Sequence, residues 1–338
     1  MEIIKRIGFF VFVVFILFLF IWALYLPKKE ATQTIKKTLE EQKQRLDLFF
    51  QGVTFQEAVG SVKYWEIKAK SSSLNKDTGV VTLKDSQGTF FKSGRPVLKF
   101  ISPQAVWNMN KKEIHLKDAV GYDVKSEEGV QKFLAEAQKY QTSVFTLPVR
   151  YRGAGEGYFF MAKNLSWKLA DQKLLCRGGI WLNKGDIFGQ GRELTADVGL
   201  EKVKLRGDPR IILSNQYLTT IEAREFQVDS VKDILSAEGG VTLRSSDVKI
   251  TAARIIFKQR LNLIEIFKAV NITYRDILAT GDKALYDMKK EMIDLLHNTR
   301  LKRGKNTLTG DKIAVSLKDK TFKISGRTKA VITEEELK

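Results

Sequence analysis

The chain has 338 residues, with 57 lysines and arginines against 39 aspartates and glutamates, which gives a formal net charge of +18. Apolar residues make up 43% and charged residues 28%, a globular composition that excludes a disordered or low-complexity chain. The single cysteine, Cys176, excludes an intramolecular disulfide and a thiolate metal cluster.

The N-terminal segment predicts a membrane anchor. Residues 1–6 form a short basic start, which we expect on the cytoplasmic side, and residues 7–26 contain no charge. A helix of that length just spans the hydrocarbon core of a bilayer. A signal peptide is the alternative, but its apolar run is shorter and ends in small residues, whereas this run ends in bulky ones. We therefore expect a retained transmembrane helix over 7–26, anchored by Ile7, Phe15, Trp22 and Leu26.

A charged segment, residues 27–51, follows the span, and its apolar residues recur at helical spacing. We expect a stalk helix that acts as a solvated spacer. From residue 52 onward, short alternating runs are separated by Gly, Asp, Asn and Lys clusters, which is the pattern of strands and turns. The remainder of the chain is therefore predicted to be mostly β.

An internal repeat of about 29 residues decides the architecture. Each copy has an apolar residue, a small residue two places on, and mainly apolar residues five and seven places on. The copies begin at Ile67, Phe100, Phe160, Gly189, Ile221, Ile250, Ala279 and Leu308. A unit of two short strands cannot bury its apolar face alone, so stacked units share one core. We predict an all-β fold, an elongated twisted jelly roll of stacked repeats behind the N-terminal helix.

The spacing between two of these copies, Phe100 and Phe160, is about two periods. The segment near 126–141 in that gap has a helical pattern, so we expect a helical insertion that replaces or interrupts one copy. A second column of aliphatic residues, each after a polar or glycine turn, keeps a similar period. Its members are Ile180, Ile211, Val241, Val270, Leu301 and Val331.

The position seven places into each copy forms a stripe of mostly large apolar residues. Its members are Leu74, Trp107, Trp167, Ala196, Val228, Phe257, Tyr286 and Val315. The stripe has two interpretations, an ordinary packed core or the lining of an open groove for an apolar ligand, and alternation along a strand does not distinguish them. For the groove, the candidate residues are Trp107, Phe160, Trp167, Phe226, Phe257 and Tyr286.

Residues that carry chemistry are few. His115 and His297 have no ligand at metal-binding spacing, and Cys176 has no histidine nearby in sequence to activate it. We therefore predict no catalytic residue, no metal and no cofactor. The basic residues are scattered and no nucleic-acid-reading motif is present, so nucleic acid is not an expected partner.

Two stretches, Gly60–Leu74 and Leu278–Ile313, together with the single span and the stalk, resemble a known family. The chain is similar to the LptC-type bitopic periplasmic component of the lipopolysaccharide export ABC transporter, with extra repeats of the LptA or OstA-like kind. The resemblance implies an LptC-like jelly roll over 52–188 and LptA-like repeats over 189–338.

The resemblance also implies a function. It predicts a non-enzymatic relay in the periplasm, anchored by one span in the inner membrane, that holds the acyl chains of lipopolysaccharide between two sheets. The expected partners are the lipid, the membrane, the ABC transporter and a periplasmic or outer-membrane jelly roll that pairs with the edge strand at Val331 and Ile332. The alternative is an anchored β scaffold for envelope assembly, with a closed interior and no lipid.

Overall fold

A computed structural model describes residues 14–18, 21, 48–131, 157–214, 218–319 and 321–331. The chain divides into two units. The first comprises Met1–Leu48 with Asn75–Asp77, and the second comprises Phe49–Leu74 with Thr78–Lys338. In the first unit, residues 14–18 and 21 are helical. The other residues of the predicted span, including Ile7, Trp22 and Leu26, lie outside the described residues, as does most of the predicted stalk.

The end of the stalk prediction is wrong, because residues 48–51 belong to a strand. Pairing with the next strand outweighs the helical spacing of the apolar residues in this stretch. The strands of the first half of the chain are β1 (Leu48–Val59), β2 (Val62–Asn75), β3 (Val80–Lys92), β4 (Arg95–Asn108), β5 (Glu113–Asp123), β6 (Tyr158–Lys168), β7 (Lys173–Lys184), β8 (Ile187–Asp197), β9 (Lys202–Arg206) and β10 (Arg210–Leu213).

The strands of the second half are β11 (Thr219–Glu222), β12 (Glu225–Asp229), β13 (Ile234–Ser245), β14 (Val248–Lys258), β15 (Leu263–Tyr274), β16 (Ile277–Asp287), β17 (Met292–Arg303), β18 (Asn306–Ser316), β19 (Thr321–Ser325) and β20 (Lys329–Val331). Two 3₁₀ turns complete the elements, η1 (Val124–Ser126) and η2 (Gln259–Leu261). The predicted all-β jelly-roll fold is confirmed.

Each long strand from β3 to β8 and from β13 to β18 pairs antiparallel with the next. Between β8 and β13, two long strands are split. β9 and β10 both pair with β8, and β11 and β12 both pair with β13. The pattern of neighbours is therefore continuous through the split strands.

The long strands bend at their middle. From β6 to β8 and from β13 to β18 the pairing register shifts at the bend, for example between Glu238 and Val241 of β13 and between Thr251 and Arg254 of β14. A bulge of this kind bends a strand and increases its local twist. The two halves of each strand therefore lie in two walls. Wall 1 contains Ile234–Glu238 of β13 and the strand segments that pair with it, and wall 2 contains Val241–Ser245 and its neighbours.

The bends follow a conformational pattern with the period of the repeat. On alternate strands, two consecutive residues at the bend have positive φ. These pairs are Gly178–Gly179, Gly207–Asp208, Gly239–Gly240, Lys268–Ala269 and His297–Asn298. Their first members are 29, 32, 29 and 29 residues apart. Apolar side chains from both walls form one core cluster between the bends and the turns at the strand ends.

The insertion lies between β5 and β6. These strands pair directly, with Gly121 opposite Phe160, so the series of paired strands continues from β5 to β6. The described part of the insertion is η1 followed by helical residues 127–131, in which Val130 is completely buried. Lys99 forms an ion pair with Glu127, which ties this helical start to the outer face of wall 2. The rest of the predicted insertion, up to residue 141, lies outside the described residues.

Candidate functional site

One continuous row of apolar side chains follows the inner face of wall 1. Each member is the direct cross-strand partner of the next, from β3 to β19. In order, the row is Val81, Trp107, Ile114, Trp167, Leu174, Ala196, Val203, Val228, Leu235, Phe257, Ile264, Tyr286, Ile293, Val315 and Phe322. The row contains every member of the predicted stripe except Leu74.

Four groove candidates, Trp107, Trp167, Phe257 and Tyr286, belong to this row. The fifth, Phe226, lies one row nearer the bends of wall 1, opposite Leu205 and Ala237. The sixth, Phe160, is on the inner face of wall 2. All six candidates therefore point into the space between the walls, although their role in lipid binding stays a prediction.

These side chains are packed in the structure. Phe160 and Phe226 are 0% exposed, Trp167 is 1%, Tyr286 is 2% and Phe257 is 5% exposed, whereas Trp107 is half-buried. Burial of a large apolar side chain contributes roughly 1.5–3 kcal/mol. The same faces that would bind hydrocarbon therefore stabilise the closed roll.

A small cavity remains between the walls near the middle of the chain. Its volume is about 20 Å³, and its apolar lining includes Leu182, Ile187, Ile211, Val228 and Leu235. A cavity of this size accommodates at most about one water molecule. The walls must therefore move apart before this part of the interior can hold an acyl chain.

A second part of the interior, lined by β2–β6, contains a cluster of aromatic rings. The rings of Trp65 and Trp107 lie 5.1 Å apart at 80°, and those of Phe90 and Trp167 lie 5.7 Å apart. The indole Nε1 atoms of Trp107 and Trp167 are buried and have no hydrogen-bond partner among the described residues. A buried unpaired donor costs roughly 1–3 kcal/mol, so each of these two indole groups lowers the stability of the packed interior.

The opening between the walls lies opposite the bends, where the turns at the strand ends meet, and we call it the mouth. Side chains from the two walls meet across it. Lys92 Nζ, at the end of β3, lies 2.8 Å from Glu201 Oε1 and 3.4 Å from Asp197 Oδ2. Further along, the rings of Tyr274 and Phe322 lie 6.2 Å apart. The hydrogen bond that Lys92 donates to Glu201 raises the pKa of Lys92, which favours its charged form.

The middle of the mouth is crossed by two polar contacts. Tyr158 Oη lies 2.5 Å from Ser230 Oγ, and Ser230 Oγ donates to the carbonyl oxygen of Leu200. Because the hydroxyl hydrogen of Ser230 is used in that way, Tyr158 is the donor to Ser230. Burial raises the pKa of Tyr158 to about 12, so its hydroxyl stays protonated and able to donate at neutral pH.

The second contact is an ion pair. Lys184 Nζ lies 3.8 Å from Asp233 Oδ1, and Arg260 Nε contacts the other carboxylate oxygen of Asp233. Lys184 Nζ also lies 5.1 Å from the centroid of the Tyr158 ring. Tyr158 and Lys184 are cross-strand partners in wall 2, whereas Ser230 and Asp233 belong to the turn between β12 and β13 of wall 1. We call these four residues the latch. These residues are far apart in the sequence, and no sequence pattern indicated that they are in contact.

The predicted edge strand is present as β20. It pairs with β18 through Val331 opposite Thr307, and Val331 is 54% exposed. Ile332 lies outside the described residues. An exposed strand at the edge of a sheet can pair with another chain through its backbone groups.

The residues that could carry chemistry are dispersed. Cys176 is completely buried, and burial raises the pKa of its thiol to about 12. His115 Nε2 lies 3.3 Å from Glu113 Oε1 on the outer surface. Within the described part of the chain, no three His, Cys, Asp or Glu side chains are grouped as a metal would require.

The anchor residue that the structure describes, Phe15, is 57% exposed within helical residues 14–18. No helix among the described residues combines the length and the apolar character needed to cross a bilayer.

Comparisons with known proteins match two parts of the chain. Residues 13–147 match the lipopolysaccharide-assembly, LptC-related family, and residues 220–321 match the family of LptA and the LptD N-terminal domain, described as lipopolysaccharide transport proteins. No curated protein matches the chain. Among solved structures, the chain is similar to LptH from Pseudomonas aeruginosa, described as the LptA-homologous periplasmic component of the lipopolysaccharide transport device. The identity is 16%, the alignment covers 34% of this chain and 94% of LptH, and the TM-score is 0.32.

The resemblance seen in the sequence is therefore confirmed by the family matches, one at each end of the β region. A role in lipopolysaccharide transport follows from the two families together. Residues 13–147 of the chain are thus similar to the LptC-related family, and residues 220–321 are similar to the family of LptA and the LptD N-terminal domain.

Proposed function

We propose that the chain is a membrane-anchored lipopolysaccharide transfer protein of the periplasm. It accepts the lipid from the inner-membrane ABC transporter and passes it along the interior between walls 1 and 2 toward the outer membrane. The N-terminal span over 7–26 serves as the anchor, and the protein acts without catalysis.

The observation that supports this proposal most directly is the continuity of the inner row of wall 1. Trp107 lies in the LptC-related region and Tyr286 lies in the LptA-type region, yet the same unbroken series of cross-strand partners joins them. Removal of apolar surface from water contributes roughly 25 cal/mol per Å², independent of direction. Once the walls have moved apart, an acyl chain can therefore move along such a row without meeting a strong barrier.

Docking to a partner jelly roll completes the proposal. Strand β20, with Val331 and the following Ile332, pairs with the next jelly roll through its backbone. We also propose the boundary near 188 and 189, with an LptC-like roll before it and bridge-type repeats after it. The net charge of +18 suits an anionic lipid and anionic membrane surfaces.

Photocrosslinking in cells tests this function. A photoreactive phenylalanine analogue replaces Phe257 on the inner face, and the same analogue replaces Ile256 as the matched control. These residues are adjacent on β14, and their cross-strand partners Ile264 and Glu265 place them on opposite faces. We expect a lipopolysaccharide adduct at Phe257 that depends on the transporter ATPase, and no adduct at Ile256.

The alternative is an anchored scaffold for envelope assembly. The packed interior, with a cavity of about 20 Å³ in its middle, is the observation that favours it. If the crosslinker at Phe257, Trp167 and Trp107 captures no lipid while the protein is folded and expressed, the scaffold is the better account.

A further inference from the structure

The latch lies directly above the apolar cavity. Lys184 and Asp233 are part of the cavity lining, and below them the lining is apolar, with Leu182, Ile211 and Leu235. A site with cations at its rim and apolar side chains beneath matches the two halves of an anionic amphiphile. Few other ligand classes combine both requirements.

Together with Arg260, the charged residues of the latch favour an anion. The carboxylate of Asp233 is contacted by two cations, Lys184 and Arg260, so this group of three carries a net positive charge. The side chains of Lys184 and Asp233 are 19% and 23% exposed, which reduces solvent screening of their interaction. Arg and Lys together are a common pair for phosphate recognition, since Arg offers a planar fork of donors and Lys a point charge.

The strands that carry the latch also have paired glycines at their bends. Lys184 ends β7, whose bend is Gly178–Gly179, and Asp233 directly precedes β13, whose bend is Gly239–Gly240. Paired glycines allow larger backbone rotations than other residues. The two walls are therefore able to separate most easily at the position where the latch holds them together.

We propose that Lys184 and Arg260 form a receiving site for the phosphate group of an anionic amphiphile, and that this phosphate replaces Asp233 and so opens the mouth. This inference rests on the proposed function and adds the point of headgroup recognition to it. Asp233 acts as an internal competitor that keeps the roll closed, and Tyr158 and Ser230 hold the adjacent part of the mouth. The tail of the amphiphile then takes the place of the wall-to-wall apolar contacts.

Titration of the full chain, reconstituted in discs of neutral phosphatidylcholine, tests the site. The probes are dodecyl phosphate, the uncharged dodecyl glucoside and inorganic phosphate. We expect Lys184→Gln and Arg260→Gln each to weaken dodecyl phosphate binding about tenfold, equal to about 1.4 kcal/mol. Both variants should leave dodecyl glucoside binding unchanged. Asp233→Asn should tighten dodecyl phosphate binding severalfold, a gain that partial unfolding does not produce.

Lys312→Gln is the matched control, because Lys312 Nζ forms a 2.8 Å ion pair with Asp294 of the neighbouring strand, away from the mouth. Its affinity for dodecyl phosphate should equal that of the unsubstituted protein. Equal weakening by Lys312→Gln and Lys184→Gln would overturn the site, as would inorganic phosphate binding as tightly as dodecyl phosphate. If both amphiphiles bind and the variants at Lys184, Arg260 and Asp233 have no effect, this inference alone fails. If neither amphiphile binds, the proposed function fails with it.

Discussion

The requirement for a small residue at the second position of each repeat can be tested at two neighbouring glycines of β8. Gly191 lies at the small position next to the bend, and Gly189 precedes it by two residues on the same inner face. A Cβ atom at Gly191 would lie 2.9 Å from the carbonyl oxygen of Arg206 and 2.9 Å from Leu205 Cδ1. A Cβ atom at Gly189 would lie 3.5 Å from Leu205 Cδ2, which is an ordinary contact.

The two alanine substitutions should therefore have opposite effects on the free energy of unfolding. Gly191→Ala forces a backbone carbonyl to move, and overpacking of this kind costs about 1–3 kcal/mol. Gly189→Ala needs no movement and reduces the entropy of the unfolded chain, which stabilises by about 0.4–1 kcal/mol. We expect a difference of about 1.5–4 kcal/mol between the variants from these two terms.

Urea unfolding followed by tryptophan fluorescence measures this difference. The midpoint should fall for Gly191→Ala and stay level or rise for Gly189→Ala, with the same dependence on urea concentration in both. A Gly191→Ala variant as stable as Gly189→Ala would refute the argument that the neighbouring bend sets the size of this residue. Substitution at the equivalent Gly281, whose added Cβ would lie 2.9 Å from Leu295 Cδ1, repeats the test in another unit.

Three further predictions concern single side chains. Burial tends to raise the pKa of Glu225, but hydrogen bonds from Lys204, Gln227 and Arg206 outweigh it and hold that pKa at about 2, below its ordinary value of 4.5. Its contribution to stability is therefore present above pH 4.5 and lost as the pH falls toward 2, and Glu225→Gln should flatten the unfolding midpoint across that range. The buried thiol of Cys176 should react with a maleimide only when the roll unfolds, so labelling in the native state would contradict its burial. Phe257→Ala should cost about 3–5 kcal/mol in the same urea titration, and an unchanged midpoint would contradict the packed interior.

The bends show which part of the fold the sequence could reveal. In β14, Ile250 and Ala252 are on wall 2, and Ile255 and Phe257 are on wall 1. The residues on the inner face are thus at even positions before the bend and at odd positions after it. The repeat pattern, with its residues two, five and seven places on, reflects this break in alternation. In β13, two bend residues keep the alternation unbroken, so Leu235 and Leu243 are both at odd positions and the pattern hides the bend.

The second predicted column combines different rows. Ile180, Val241 and Val270 share the position next to the bend, Ile211 and Leu301 lie one row further along wall 2, and Val331 is cross-strand partner to the outward Thr307. A member that is displaced by two residues still lies on the same face of its strand. The column therefore keeps the period of the repeat, although its members belong to different rows. A shift of one residue, by contrast, places a side chain on the outer face.

The contacts across the mouth had no sequence signal. Tyr158 and Ser230 are 72 residues apart, and Lys92 and Asp197 are 105 residues apart. Their meeting depends on how far the walls twist along the series of strands, which no local pattern encodes. Non-glycine bends such as Lys268–Ala269 were equally hidden, because neighbouring strands impose the left-handed conformation on residues that do not prefer it.

The direction of the hydrogen bonds explains how a packed roll could admit a lipid without unfolding. The backbone ladders join neighbouring strands within each wall, so separation of the walls breaks none of them. It breaks apolar contacts between the walls and the few contacts at the mouth, among them Lys184 with Asp233 and Tyr158 with Ser230. An entering acyl chain makes new apolar contacts in place of those lost between the walls. The free energy needed for opening therefore comes mainly from the loss of the polar contacts. Opening at Gly178–Gly179 and Gly239–Gly240 therefore meets less resistance than at Lys268–Ala269, and the walls should separate first in the middle of the chain.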